Sequence, residues 1–342
     1  MIFVIPVLLG LIILGSVVLT WILRRYAMAK SLLDIPNARS SHTLPTPRGG
    51  GVAIVLSFLA VTCFLTFVDP SIIHLSLALG GAGVAVAVVG FLDDHGHIAA
   101  RWRLAVHGLS ATWALFWLGG MPPVEIFGNA ISLGWFGEIV GVLYLIWMLN
   151  LYNFMDGIDG IASVEAITSC VAVCLIYWLV GQSELVALPL MLAGAVLGFL
   201  CWNFPPARIF MGDAGSGFIG ITIGILMLQG GGAEPKFLWV WLIMLGVFLV
   251  DATFTLLRRM IRGEKVYEAH RSHAYQYASR QYGAHLPVTL GVLAINVCWL
   301  LPVAVAVAFD WIGGAMGLIV AYTPLLFLAV RYQAGARERG RR

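Results

Sequence analysis

Residues 138–160 read Glu138-Ile-Val-Gly-Val-Leu-Tyr-Leu-Ile-Trp-Met-Leu-Asn-Leu-Tyr-Asn-Phe-Met-Asp-Gly-Ile-Asp-Gly160. No charged side chain interrupts the stretch from Ile139 to Met155. The run is too long for an ordinary strand and lacks period-two alternation, so it reads as a helix that is apolar on every side. Such a helix belongs in a large core or a bilayer. Its far end changes character abruptly. Asn150, Asn153, Asp156 and Asp159 recur every third residue along a slowly turning stripe, and Gly157 and Gly160 break the helix. An apolar rod ending in carboxylates and glycine turns reads as a membrane span that delivers polar chemistry to one face.

The rest of the chain repeats this pattern. Of its 342 residues, 60% are hydrophobic and only 11% charged, against about 25% charged in soluble domains. Apolar runs fall at 2–23, 50–68, 72–92, 103–118, 138–153, 161–180, 184–202, 215–229, 236–257, 286–308 and 311–331. With roughly 20 apolar residues needed per crossing, they predict an all-α polytopic membrane protein of about eleven transmembrane helices. No composition break or internal repeat divides it, so residues 1–342 read as a single integral membrane domain. The abundant glycine, 39 residues, suits close helix–helix approach in lipid.

Basic residues set the orientation. Placing the N-terminus outside and the C-terminus in the cytoplasm gathers Arg24, Arg25, Lys30, Arg39, Arg48, Arg101, Arg103, Arg208 and the cluster from Arg258 to Arg280 on the inner side. Lys236 alone is left outside. Arg24 and Arg25 follow the first apolar run instead of preceding it, which marks an uncleaved span and not a signal peptide. Residues 124–133 carry short β-prone stretches around Gly128-Asn129, predicting a small external hairpin. The polar segment 258–285 is expected to form a short helix followed by an ordered loop. Cys63, Cys170, Cys174, Cys201 and Cys298 all lie in apolar runs and read as packing residues.

The acids are the informative residues. Asp93-Asp94 follow the third run, Asp156 and Asp159 the fifth, and Asp213 the seventh, all on the same inner face. They sit at helix C-termini, where the macrodipole disfavours an anion by about 0.3–1 kcal/mol each. Each acid alone could be a solvated loop residue; three clusters on one basic face call for a bound cation. The donors are hard oxygens, which suits Mg²⁺ held by one or two carboxylates plus phosphate and water, with Mn²⁺ as the alternative. Gly212, Gly215 and Ser216 surround Asp213 at a helix start whose amides could bind phosphate. Arg48, Arg101 and Arg271 are suited to phosphate contacts, though inner-loop arginines also serve topology alone. His270 and His273 could donate to phosphate oxygens or carry a proton; His42 reads as a loop residue. Asp251 is expected to pair with Arg258 or Arg259, and Glu165 to lie near enough to the inner surface to be wetted.

Taken together, the segments Ser41-His, Pro47-Arg-Gly-Gly-Gly51, Gly90-Phe-Leu-Asp-Asp94, Asn150-Leu-Tyr-Asn-Phe-Met-Asp-Gly-Ile-Asp-Gly160, Phe210-Met-Gly-Asp-Ala-Gly-Ser216 and His270-Arg-Ser-His273 resemble the polyprenyl-phosphate N-acetylhexosamine-1-phosphate transferases. That family includes phospho-N-acetylmuramoyl-pentapeptide transferase. The resemblance implies transfer of a sugar-1-phosphate from a UDP-N-acetylhexosamine to undecaprenyl phosphate, releasing UMP, at the cytoplasmic face of a bacterial inner membrane. It implies that Asp213, with Asp94, ligates Mg²⁺, that Asp93 and Asp94 orient or deprotonate the lipid phosphate, and that His273 serves the diphosphate. Substrate binding would then fall to Asn150, Asn153, Asp156, Asp159, Asn203, Gly212, Gly215, Ser216, Arg48, Arg101, His270 and Arg271. The later histidines of the family's usual run are missing after His273, which points to the branch that starts O-antigen or another surface polysaccharide. Nothing suggests a nucleic-acid partner, and association into a homodimer is left open. A transporter would place its polar residues near the midplane within repeats, and an intramembrane prenyltransferase would repeat its aspartate-rich motif in two halves; neither pattern is found here.

Overall fold

The computed structural model describes residues 4–36, 44–96, 98–126, 128–264 and 270–337. The chain is mostly helical: α1 (Val4–Ala29), α2 (Val52–Val68), α3 (Ile73–His95), α4 (Ala100–Leu118), α5 (Gly134–Met155), α6 (Ile161–Leu179) and α7 (Ala187–Asn203) are followed by α8 (Asp213–Ala233), α9 (Lys236–Met244), α10 (Gly246–Ile261), α11 (Ala274–Tyr282), α12 (Leu286–Ile295), α13 (Leu301–Ala308) and α14 (Gly314–Arg331). A π-helical turn, Asn296–Leu300, joins α12 to α13. Two 3-10 turns, Pro70–Ile72 and Ser183–Leu185, and two short antiparallel pairs, β1 (Leu33–Asp34) with β2 (Thr46–Pro47) and β3 (Val124–Ile126) with β4 (Asn129–Ile131), complete the described elements.

Among the described residues, eight helical segments are long and apolar enough to cross a bilayer, nine if α9 and α10, bent by 76° at their junction, count as one. Helix α2 is apolar but has 17 residues. Helix α4 opens with Arg101 and Arg103 in its first turn and is less apolar than its neighbours. Large apolar side chains such as Phe67, Phe116 and Trp135 stand exposed on the outer surface, a display that suits lipid and not water. The protein is a multi-pass membrane protein.

Helix α8 is the axis. Ninety-four percent of its span is buried, and it packs against α2, α3, α5 and α9. Glycine makes this possible, because a Cβ on Gly220 would come within 2.7 Å of the Leu149 Cα and the Met148 carbonyl on α5. In lipid, such small-residue contacts replace the hydrophobic drive as the source of helix association. At the far end of α8, Lys236 pairs with Asp310 at 2.8 Å and Glu234 at 3.3 Å.

Several expectations need correction. The hairpin forms, but Asn129 pairs with Ile126 and so belongs to the second strand instead of the turn, with Gly128 at φ +78°. In segment 258–285, α10 runs on to Ile261 and a further helix, α11, starts after His273, whose amide donates to the Gln276 side chain at 3.3 Å. Asp251 does not take Arg258 or Arg259. It accepts the amides of Ala274 (2.9 Å) and Tyr275 (3.0 Å), while Arg258 donates to the Ala334 carbonyl and Arg259 pairs with Glu264. Glu165 is fully buried and accepts from Asn296 at 2.7 Å, away from water.

The packing predicts a contrast between two glycines. Gly220→Ala must push α5 and α8 apart and lose roughly 1–3 kcal/mol, whereas Gly80→Ala, with nothing within 4 Å of its new Cβ, is neutral or stabilising. Thermal unfolding in detergent should show a lower midpoint for the first variant only.

Candidate functional site: a carboxylate cluster between α3, α5 and α8

The loop before α2 and the loop before α8 are stitched by backbone hydrogen bonds. Phe210 donates to the Pro47 carbonyl (2.8 Å), Gly50 to Phe210 (2.9 Å) and Gly51 to Met211 (2.9 Å). Gly51 and Gly215 lie back to back, leaving no room for a Cβ on either. Gly212 is doubly constrained: its φ is +79°, and a Cβ would stand 2.5 Å from the Asp94 Oδ2. Gly90, a turn before Asp94, lets α3 reach the backbone of Asp213 and Ala214. The motifs read along the chain thus converge in space.

Their side chains form a charged network. Asp94 is nearly buried (1% exposed); its Oδ1 accepts from Arg48 and from the Asp213 amide at 3.2 Å, while its buried Oδ2 has no hydrogen-bond partner. Asp93 accepts the Ile98 amide at 2.8 Å and pairs with Arg103, which also stands 3.6 Å from Asp213. Asn153 lies beside Asp213 and donates to Ser216 Oγ at 3.0 Å. Asp156 caps α5 with no ion-pair partner among the described residues. Burial first, then the charges of Asp213, Asp94 and Asp159, push its carboxyl well above the ordinary carboxylate range. Burial works against the Arg48 charge, but Asp94 outweighs it and the guanidinium stays above its usual range.

Four acids, Asp93, Asp94, Asp156 and Asp213, face two guanidiniums, Arg48 and Arg103. With all four acids ionised the excess is two negative charges. Among the described residues no three His, Cys, Asp or Glu groups form a complete metal-holding set. The donors are carboxylate oxygens, one of them the orphaned Asp94 Oδ2, which fits a hard divalent cation that draws its remaining ligands from phosphate and water.

A second region adjoins this cluster. The Asp159 carboxylate accepts the Ala207 amide at 3.0 Å and lies 3.2 Å from His285 Nδ1. Asn203 accepts from the Gly160 amide (2.9 Å) and donates to the Ile209 carbonyl (3.0 Å), which ties the Asp159 loop to the loop before Phe210. Asp159, Pro205, Pro206, Phe210, Arg280 and His285 line a cleft of about 560 Å³. Asn203 is buried with both ends of its amide engaged, so it holds the cleft together instead of opening onto it.

Other expected site residues are placed differently. Arg101 is exposed beside Trp102, and Arg103 is the basic residue that enters the cluster. Asn150 turns back to the Ile146 carbonyl of its own helix. The first-turn amides of α8 are largely used: Asp213 donates to Asp94, and Gly215 and Ser216 donate to the Gly212 carbonyl. His273 is 3% exposed, 3.4 Å from Asp251, and its ring packs on His270 and Tyr275. Arg271 accepts from Arg280 through its carbonyl and lines a separate pocket with Arg280 and Arg337. Ser41 and His42 lie outside the described residues. His285 had no signal in the sequence, since a lone histidine before an apolar run has no partner at helical spacing.

The fold and site together define an integral membrane protein, a helical bundle that carries a carboxylate–arginine cluster beside a cleft. Comparison with known proteins narrows it. The family model described as glycosyl transferase family 4 matches residues 75–231. The chain is 30% identical over 297 residues, 79% of its length and 78% of the relative's, to the undecaprenyl-phosphate alpha-N-acetylglucosaminyl 1-phosphate transferase of Escherichia coli K12. It is 28% identical over 274 residues, 78% of its length and 80% of the relative's, to the protein of that name from Thermotoga maritima. It is 32% identical over 232 residues, 64% of its length and 71% of the relative's, to the phospho-N-acetylmuramoyl-pentapeptide-transferase of Moorella thermoacetica. The chain belongs to glycosyl transferase family 4.

The network predicts coupling. Arg48→Met leaves Asp94 buried without its cation and should cost about 3–5 kcal/mol. Adding Asp94→Asn removes the stranded charge, so the double variant should recover most of that loss in thermal unfolding. Additive losses would mean that the two side chains do not interact.

Proposed function

We propose that the protein transfers N-acetylhexosamine-1-phosphate from a UDP-sugar to undecaprenyl phosphate at the cytoplasmic face of the bacterial inner membrane, releasing UMP and leaving the first sugar of a surface polysaccharide on a lipid diphosphate. The observation that carries this reading is the meeting of Asp93, Asp94, Asp156 and Asp213 with Arg48 and Arg103 beside the Asp159 cleft. A diphosphate donor and a phosphate acceptor must share a small volume here, and both are anions. The names of the relatives support the lipid acceptor and make N-acetylglucosamine the first donor to test.

Mg²⁺, held by Asp213 and Asp94, would neutralise charge on the diphosphate. The residues of the chain do the rest. Arg103 and Arg48 are held in place by Asp93 and Asp94, presenting guanidinium edges to phosphate oxygens. With both members of the acid pair engaged by arginine, they orient cations and are poorly placed to take a proton. No base is needed, because a phosphate monoester with its second pKa near about 6 is mostly dianionic at neutral pH. An oxygen of the lipid phosphate attacks the sugar-linked phosphorus, the bond from that phosphorus to the UMP oxygen breaks, and UMP leaves with the bonding electrons. Phosphoryl transfer of this kind rests on in-line positioning and charge neutralisation. Asn153 and Ser216 steady Asp213, and Asp159 faces the nucleotide half.

The test is UMP release from UDP-N-acetylglucosamine, UDP-N-acetylfucosamine and UDP-N-acetylquinovosamine by the purified protein with undecaprenyl phosphate and Mg²⁺. Release is expected with one of these donors, dependent on the lipid and on Mg²⁺, and reduced by about 100-fold or more in Asp213→Asn. Silence across the panel in folded protein, or release that ignores the lipid, would overturn the reading. In the same assay Arg103→Gln should lower kcat/KM by about 10–100-fold while Arg101→Gln stays within about twofold; equal losses would contradict the placement of Arg103 in the cluster.

A further inference from the structure

We propose that His285 is the positioning residue for Asp159, fixing the carboxylate that meets the nucleotide half of the donor. The inference rests on the function proposed above and adds a residue to it.

Asp159 sits in the turn between α5 and α6, just before Gly160 at φ +73°. A turn tip is ordinarily the most mobile part of a bundle, yet this one is tied through Ala207, Thr289 and His285. Ala207 donates to Asp159 Oδ2 at 3.0 Å, His285 Nδ1 stands 3.2 Å from Oδ1, the Asp159 amide lies 3.3 Å from that same Nδ1, and Thr289 Oγ1 donates to the Asp159 carbonyl at 2.9 Å. The two His285 contacts share one ring nitrogen, which makes one of these hydrogen bonds at a time. A neutral ring with a bare Nδ1 accepts the amide N–H; a ring protonated there donates to the carboxylate.

His285 can act as an anchor because it is itself fixed. It immediately precedes α12, and its carbonyl accepts the amides of Val288 (3.0 Å) and Thr289 (3.1 Å) in the first turn. Helix α12 thereby grips the Asp159 turn twice, through His285 and through Thr289 one turn on. Asp159 and His285 are 12% and 16% exposed, and both open on the cleft whose walls include Pro205, Pro206 and Phe210. A carboxylate has about four acceptor positions, so those not taken by Ala207 and His285 are left to face an N–H or O–H donor of a nucleotide lying on these flat walls. His285 thus sets where Asp159 points, while the transferring phosphorus is handled elsewhere, in the cluster of Asp93, Asp94, Asp156 and Asp213.

This division predicts a signature in substrate affinity. His285→Ala should raise KM for the UDP-sugar and the Kd for UMP about tenfold, with kcat changed by no more than about twofold. His285→Asn, whose short amide returns a donor and an acceptor near the position of Nδ1, should bring KM back to within about threefold of the wild type. In an Asp159→Asn background, which should itself raise KM about tenfold, His285→Ala should add little. Thermal unfolding checks that each variant is folded; if His285→Ala is not, the contrast between His285→Asn and Asp159→Asn carries the test. An unchanged KM in His285→Ala, a fall in kcat with KM unmoved, or no recovery in His285→Asn would overturn the assignment while leaving the transferase reading intact. A wild-type protein that releases no UMP from any donor would overturn both.

Discussion

The structure depends on bringing carboxylates of like charge together at the ends of three helices, α3, α5 and the buried α8. Asp94 from α3, Asp156 at the end of α5 and Asp213 at the start of α8 meet because glycine lets the backbones touch. Gly90 admits α3 to the first turn of α8, Gly51 and Gly215 allow the α2 loop to lie on it, and Gly212 supplies a left-handed turn with Asp94 against it. Side chains at any of these points would relieve the repulsion by separating the acids. The chain holds them close instead, and two guanidiniums leave a formal deficit of positive charge.

That deficit organises the rest. With the proposed divalent cation in place, the site would suit anionic substrates. The arginines that would contact phosphate are themselves held by acids, so the geometry exists before substrate arrives. The neighbouring cleft is built differently, from apolar walls, backbone ties and the Asn203 bridge between two loops. In the proposed reaction one region would manage charge and the other recognition, and α8 with its preceding loop borders both. Helix α8 can carry this load because it is buried on all sides and fixed at its opposite end by the Lys236, Glu234 and Asp310 cluster.

Much of this was readable in the order of residues. Apolar runs declared the spans, and acids following three of them declared a shared face; the dipole argument holds for Asp93, Asp94 and Asp156 at helix C-termini, whereas Asp213 stands in the first turn of α8, where the dipole favours it. What stayed hidden were relations between distant segments. Arg101 and Arg103 differ by two positions and no local pattern separates them; only the direction of α4 decides which one reaches Asp93. Asp251 looked like a partner for arginines on its own helix, yet it accepts two amides at the start of α11. The α8 amides looked free for phosphate, but Asp94 and the Gly212 carbonyl already use three of them. His285 lies 126 residues from Asp159, a separation that no periodicity can bridge.

The central claim is that the charge excess at Asp94, Asp156 and Asp213 is matched by a divalent cation. Electron paramagnetic resonance of Mn²⁺ titrated into the purified protein, with Mg²⁺ as competitor, tests it without any substrate. The account predicts a saturable site that Mg²⁺ displaces and that Asp213→Asn weakens strongly. Binding that is absent in the folded protein, or unchanged in the variant, would contradict it.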